Sequence, residues 1–495
     1  MLAATHPILT CDEARDLEAR LFGGDETKEA AAMARAGHAL AAAVRRDFAE
    51  IGGMPERARL LVLVGKGHNG GDALIAARVL LEAFPASRAD VVLVFGARAL
   101  RPLARRAYHA LVHAARDRVA TRPTDVLAAD YDLGLDGVFG FQFHPPAEPR
   151  VLALFAAVNA LPIRLRAAVD LPSAGRFRAD FTYATGTVKL PVLTDSAAGR
   201  LRYLDLGFFR GGEPGWLRVL TTDVLAPLAA LRAPHSDKRT YGHGFIVGGS
   251  RNYPGAVLMA VRAALHSGAG RVTAFVPESL VAAYAAQVPE AMWVGWPETP
   301  GGGLALEGVH LLRERLGEAS ALAMGPGLGR ERETLALVAD VLKIARVPVV
   351  LDADALQSAA LHAAKTPLVL TPHAGEFARI AEGRSLEDFA AETGATVVLK
   401  GPVTRIAYGA PPTVYHSFFG GPVLARGGSG DLLCGLVGGL LAQTPAEPAL
   451  AAVRGVVWHG LAADFLARSR GQTAVQITQL LDFLPVALRE CAHEP

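Results

Sequence analysis

The segment Gly427-Gly428-Ser429-Gly430-Asp431, running into Leu432 and Leu433, sets a carboxylate beside a run of glycines at the start of an apolar helix. Successive glycine N–H groups at a helix start form an anion-binding nest, and an adjacent carboxylate can activate a hydroxyl nucleophile. Alone, the segment reads equally well as a helix-capping loop. Its surroundings supply further polar groups, most of them directly after short apolar runs. Lys238-Arg239-Thr240-Tyr241-Gly242-His243-Gly244 leads into a run ending Gly248-Gly249-Ser250, followed by Tyr253-Pro254-Gly255-Ala256 and Ser267-Gly268-Ala269-Gly270. Gly325-Pro326-Gly327-Leu328-Gly329, Asp352-Ala353-Asp354, Thr371-Pro372-His373-Ala374-Gly375-Glu376 and Lys400-Gly401-Pro402-Val403-Thr404 come next. Functional groups at successive strand ends are what an open α/β active site presents. Taken singly, His373 also suits a turn, Asp352 and Asp354 suit strand-end caps, and Lys400 suits a solvated position.

A second glycine turn lies near the start of the chain: Gly65-Lys66-Gly67-His68-Asn69-Gly70-Gly71-Asp72. Glycines admit a ligand close to the backbone, and the helix that follows offers unpaired N–H groups to a phosphate. The segment contains the G-x-G-x-x-G dinucleotide pattern. It continues, however, into a polar Asn-Gly-Gly-Asp, and the next apolar run, VVLVFG, ends without the ribose-binding carboxylate. A hydride-transferring dehydrogenase is therefore disfavoured.

These motifs need elements to hold them. Thr10 and Glu13 make a capping-box pattern ahead of a first helix, and an alanine-rich helix follows over about 28–48. A buried strand at 60–64, the glycine turn, a helix at 73–84 and a strand at 91–95 form a βαβ unit of a parallel, doubly wound sheet. Further strands are expected at 167–169 and 201–206. The pattern loosens over 211–239, and the domain boundary is placed there, giving domains 1–222 and 223–495. Six apolar runs then alternate with helical stretches, at 245–247, 272–276, 321–324, 347–351, 368–370 and 396–399. The second domain is thus also α/β with a mostly parallel sheet. Met292, Trp293 and Trp296 read as packing residues.

With 495 residues, 51% of them hydrophobic, the chain is long enough for more than one large core. A net charge of +2 gives no general electrostatic reason to expect nucleic acid or an anionic membrane as partner. The three cysteines, Cys11, Cys434 and Cys491, are too scattered for a disulfide framework or a thiolate zinc site. Neither a signal peptide nor an uninterrupted membrane-length apolar run stands out, so a cytoplasmic setting is expected. Of 50 basic residues only Lys28, Lys66, Lys189, Lys238, Lys343, Lys365 and Lys400 are lysine. Either chance or a need for compact point charges explains where they are kept.

The first glycine turn resembles the NNGGD signature of the NAD(P)H-hydrate epimerase domain, with His68 in place of the first asparagine. Leu135-Asp136-Gly137-Val138-Phe139-Gly140, Asp170-Leu171-Pro172-Ser173 and Ala179-Asp180-Phe181-Thr182 through Lys189 resemble that family's later segments in order. Phe141-Gln142 and Ala174 also depart from its pattern. The resemblance implies a Rossmann-like doubly wound domain. Its hydrated-nucleotide site would be lined by His68, Asn69, Gly70, Gly71 and Asp72 and by Gly140, Phe141, Gln142, Phe143, His144, Pro145 and Pro146. It implies potassium at Asn69, Asp136 and Ser173, and Asp170 as acid/base group with Lys189 as charge partner.

The motifs from Lys238 to Leu440 resemble the ADP-dependent NAD(P)H-hydrate dehydratase domain of the ribokinase-like superfamily. That likeness implies a ribokinase-like α/β sheet, with Ala256, Gly327, His373 and Asp431 on the hydrated nucleotide. Lys400, Gly401, Pro402, Val403, Thr404 and Gly430 would hold ADP, the phosphoryl donor, Asp431 would act as base, and Glu376 would organise magnesium. A homo-oligomer is expected, binding hydrated NADH or NADPH and an adenine nucleotide. The competing reading is a small-molecule kinase of the ribokinase type fused to a non-catalytic Rossmann-like binding module.

Overall fold

The computed structural model describes residues 4–491. The chain divides into two compact units. Among the described residues, one comprises 6–214 with 467–472, the other 4–5, 215–466 and 473–491. The first division therefore falls at Gly215 rather than at the expected 222/223, and a short late segment belongs with the N-terminal unit.

In the N-terminal unit the strands are β1 (Thr5–Leu9), β2 (Arg59–Val64), β3 (Arg88–Leu93), β4 (Val119–Arg122), β5 (Tyr131–Gly137), β6 (Ile163–Val169), β7 (Phe181–Thr185), β8 (Val188–Lys189) and β9 (Arg200–Leu204). Seven of them form a parallel sheet ordered β4-β3-β2-β5-β6-β7-β9. The order reverses between β2 and β5, where an open α/β sheet leaves a crevice at the strands' carboxyl ends. Both faces are filled, one by Leu60, Val62, Val64, Leu74 and Tyr183, the other by Leu61, Leu63, Phe155 and Phe177. This two-sided burial explains why β2 reads as a continuous apolar run, while β5 and β6 carry polar residues within them. The helix Cys11–Phe22 has the expected Thr10/Glu13 capping box, and the strand before it, β1, was not foreseen.

Asp47, near the end of helix Glu26–Phe48, is buried and accepts hydrogen bonds from Arg202 (3.0 Å), Arg468 (3.0 Å) and the Tyr183 hydroxyl (3.1 Å). Burial pushes its carboxyl up, but the two guanidinium groups outweigh that and hold it below the usual range.

The C-terminal unit contains β10 (Leu217–Leu220), β11 (His243–Val247), β12 (Arg271–Pro277), β13 (Met292–Trp296), β14 (Ala321–Met324), β15 (Val349–Leu351), β16 (Leu368–Leu370), β17 (Thr396–Leu399), β18 (Thr404–Tyr408) and β19 (Thr413–Ser417). Their order is β13-β12-β11-β14-β15-β16-β17-β18-β19-β10. From β13 to β17 the pairs are parallel, and β18 is antiparallel to both neighbours. Here the chain reverses between β11 and β14. Trp296 is buried in the core with Phe245, Phe275 and Leu322, whereas Met292 is exposed. The helix Pro448–Arg470 is long and apolar enough to cross a membrane, but 83% of its apolar window is buried.

Candidate functional sites at the two reversal points

In the N-terminal unit the glycine turn sits at the β2/β5 reversal because nothing larger fits. A Cβ on Gly65 would stand 1.8 Å from the Val138 carbonyl oxygen. The helix His68–Ala83 starts there and borders a cavity of about 370 Å³. Its wall includes His68, Asn69, Asp72, Gly140, Phe141, Gln142, Phe143, His144, Pro146 and Asp170. Lys66, Arg101, Glu18, Glu29 and Phe208 also face it, and no motif pointed to Glu18, Glu29 or Phe208.

Gly70 and Gly71 were expected on that wall and are not; they are packing residues. A Cβ on Gly70 would lie 2.7 Å from the Gly65 carbonyl oxygen, and one on Gly71 would lie 2.5 Å from the Met33 sulfur. They let the helix press against the turn and its neighbour. Pro145 is likewise absent from the lining, between His144 and Pro146.

Asp170 follows β6 with a left-handed backbone, φ 65°. Its Oδ1 accepts from Thr185 N (3.0 Å), Thr185 Oγ1 (2.7 Å) and Lys189 Nζ (2.9 Å). Both partners are buried, Lys189 at 1% exposure. The ammonium also lies 5.2 Å from the centre of the Phe141 ring, so one departure from the family pattern places a π-face over the presumed charge partner.

Asp136, Ser173 and Asn69 meet around Phe139. Asp136 is fully buried and accepts from Ser173 Oγ (2.7 Å), Ser173 N (2.8 Å) and Val138 N (3.2 Å). Ser173 Oγ in turn accepts from Phe139 N (2.8 Å), and Asn69 Nδ2 donates to Val169 O (3.0 Å). Burial raises the Asp136 carboxyl to about 6, against the pull of these hydrogen bonds. A sealed carboxylate among neutral oxygen atoms is a donor set suited to a hard monovalent cation.

In the C-terminal unit the β11/β14 reversal is again lined with glycine. Gly249 N donates to Pro326 O at 2.8 Å, and Gly325 has φ 135° with its Cβ position 1.9 Å from Asp352 O. Gly327 and Ala256 adjoin each other, since a Cβ on Gly327 would lie 3.1 Å from the Ala256 methyl carbon.

Asp352, to which no role was assigned, is the hub of this edge. Its Oδ1 accepts from Lys400 Nζ (2.7 Å) and Thr371 Oγ1 (2.8 Å). The helix Ser429–Gln443 begins against this pair: a Cβ on Gly430 would be 3.2 Å from Lys400 Nζ and 3.6 Å from Asp352 Oδ2. Asp431, in that helix's first turn, is pushed to about 6 by burial first and by the Asp352 charge second, while Lys400 pulls it down.

His373 caps the helix Ala374–Ala381, its Nδ1 accepting from Gly375 N (3.0 Å) and Glu376 N (3.3 Å). Glu376 Oε2 returns a bond from His373 N (2.8 Å) and lies 4.0 Å from Lys400 Nζ. Gly401 and Pro402 are exposed, Val403 and Thr404 half-buried.

Sheet order and strand-edge groups thus define a two-unit α/β enzyme, one unit Rossmann-like and the other ribokinase-like. Residues 29–190 match the family model described as YjeF-related protein N-terminus, and residues 245–486 that of NAD(P)H-hydrate dehydratase. A bifunctional NAD(P)H-hydrate repair enzyme of Moorella thermoacetica is 35% identical over 499 residues, covering 93% of each chain. Another from Gloeobacter violaceus is 37% identical over 494 residues, covering 92% of each. A solved ribokinase-like superfamily protein from Enterococcus faecalis, 29% identical, covers 58% of this chain and 100% of its own with a TM-score of 0.49. The chain belongs to the family of bifunctional NAD(P)H-hydrate repair enzymes.

Proposed function

We propose that the chain returns hydrated NADH and NADPH to the reduced cofactors. The C-terminal unit dehydrates the S-form at the expense of ADP, and the N-terminal unit interconverts the R- and S-forms. The observation that carries the first activity is Asp431 one turn into the glycine-started helix, with the Lys400–Asp352 pair against Gly430.

In this reading the substrate's C6 hydroxyl oxygen attacks the terminal phosphorus of ADP and its proton passes to Asp431. The bond from that phosphorus to AMP breaks, and AMP departs. Backbone N–H groups at the helix start stabilise charge on the transferring group, and Lys400 stands by as a fixed cation. The new phosphate ester is a better leaving group than hydroxide. The ring nitrogen's lone pair expels it, and loss of a C5 proton restores the dihydronicotinamide.

Glu376 and Asp352 are the carboxylates on this edge that fit a magnesium ion held mainly by phosphates. When bound, it would neutralise phosphate charge. Among the described residues no cluster of three His, Cys, Asp or Glu side chains suits a metal by itself. In the N-terminal unit Asn69, Asp136 and Ser173 would hold potassium, balancing the sealed carboxylate. Asp170 would exchange protons at the hydrated carbon, with Lys189 setting its charge.

Incubating the full chain with the S-hydrate, ADP and Mg²⁺ tests the first activity. Recovery of reduced-nicotinamide absorbance with one AMP and one phosphate per turnover is expected. A phosphorylated product that accumulates intact means a kinase instead.

A further inference from the structure

Asp72 is a carboxyl that the mechanism above leaves idle. It lies in the first turns of helix His68–Ala83, is 6% exposed and lines the same cavity as Asp170. Its Oδ1 is buried without a hydrogen-bond partner. Lys189, the ammonium whose field reaches it, is already bound to Asp170 at 2.9 Å. An ionised carboxylate so placed lacks both the donors and the cation that would offset its lost hydration, so the neutral acid is favoured. Burial first, and the charge of Asp170 next, hold this carboxyl well above the usual range; Glu18 on the same wall adds to the repulsion. A neutral carboxyl with an unpartnered oxygen, on a residue that lines a ligand cavity, is a proton donor waiting for an acceptor.

Resting on the epimerase reading of the N-terminal unit, we propose that Asp72 is a second catalytic residue of the epimerisation, the general acid that complements Asp170 as base. Asp72 gives its proton to the C6 hydroxyl oxygen as the C6–O bond breaks. The ring nitrogen's lone pair forms the C6–N double bond, and water is released. A water molecule then adds to C6 from the other face, its proton passes to Asp170, and the electron pair returns to the ring nitrogen. C6 is inverted, one proton has moved from Asp72 to Asp170, and exchange with solvent resets both.

The test uses the full chain with the R-hydrate, following R-to-S conversion, with S-form dehydration as the check that the chain is intact. Asp72→Asn should lower kcat for epimerisation by about 10²-fold or more, with KM changed by only about threefold. Asp72→Glu should recover part of the rate. Infrared difference spectra of wild type against Asp72→Asn should show a protonated-carboxyl C=O band at neutral pH. Should Asp72→Asn fail to fold, Asp72→Glu and the infrared spectrum of that pair decide. Epimerisation by Asp72→Asn within about threefold of wild type, a change in KM alone, or no such band overturns the proposal. A wild-type chain that consumes the R-form no faster than solvent does brings down the epimerase reading itself, and this proposal with it.

Discussion

Asp431 has an acid–base task in a setting that alters its proton affinity. Burial and the neighbouring Asp352 push it to about 6, and Lys400 opposes them. As a base it acts only when deprotonated, so S-form dehydration should fall as pH drops through about 6. The kcat/KM profile checks this, and Lys400→Met should shift the acid limb upward. Asp431→Asn should lower turnover by roughly 10²–10⁴-fold, the range for removing an acid–base group. A milder loss would mean that the carboxylate only shapes the glycine turn. Asp431 and its glycines were legible because the motif is contiguous. Asp352 was not, because the partner that gives it meaning, Lys400, is 48 positions away. His373 shows the opposite limit: the family likeness implied ligand contact, and its ring is spent in part on capping a helix, as its residue type taken singly allowed.

At the level of elements, strands that are uninterrupted apolar runs, such as β2 and β15, were readable, whereas the equally buried β5 (YDLGLDG) and β7 (FTYAT), broken by polar residues or glycine, were not. Some gained residues at their ends, where pairing extends past the apolar core, and some lost them: β6, expected at 167–169, runs from Ile163 to Val169, and β15, expected at 347–351, is Val349–Leu351. β1 escaped notice because its five residues, THPIL, carry no two-residue alternation. Glycines were ambiguous in a different way. Those in the first turn all suggested ligand approach, yet Gly70 and Gly71 serve helix packing. Gly325 offers a sharp element-level test, since it combines φ 135° with a Cβ position 1.9 Å from Asp352 O. Gly325→Ala should displace the β14 loop from β15, costing about 1–3 kcal/mol in strain and overpacking. Thermal unfolding together with dehydration assays would show it. Unchanged stability and activity would mean that the loop accommodates a side chain.

For the whole molecule, two units with separate chemistry predict separable defects. Asp170→Asn should stop R-to-S conversion while S-form dehydration continues, and Asp431→Asn should do the reverse. Product analysis on each pure epimer distinguishes them. Sequence alone located the two units but not the return of residues 467–472 to the first, because Arg468 meets Asp47 across 421 positions. That contact also predicts acid lability. The folded Asp47 carboxyl is depressed by Arg202 and Arg468 in spite of burial, so its stabilising contribution is present above the unfolded value of about 4 and is lost as pH falls through the folded one. Asp47→Ala should destabilise the fold, by removing the carboxylate shared by Arg202 and Arg468, and should flatten the acid side of the stability curve. Denaturant melts at several pH values would measure both.

Asp136 has a consequence for how the protein must be handled. Its sealed carboxylate has three donors and no ammonium or guanidinium against it. If a bound alkali ion supplies the missing charge, mass action ties melting temperature to the salt in the buffer. Dialysis from potassium chloride into choline chloride at equal ionic strength should then lower the unfolding midpoint, and adding potassium back should restore it. A midpoint indifferent to the exchange would mean that Asp136 stays neutral by keeping its own proton.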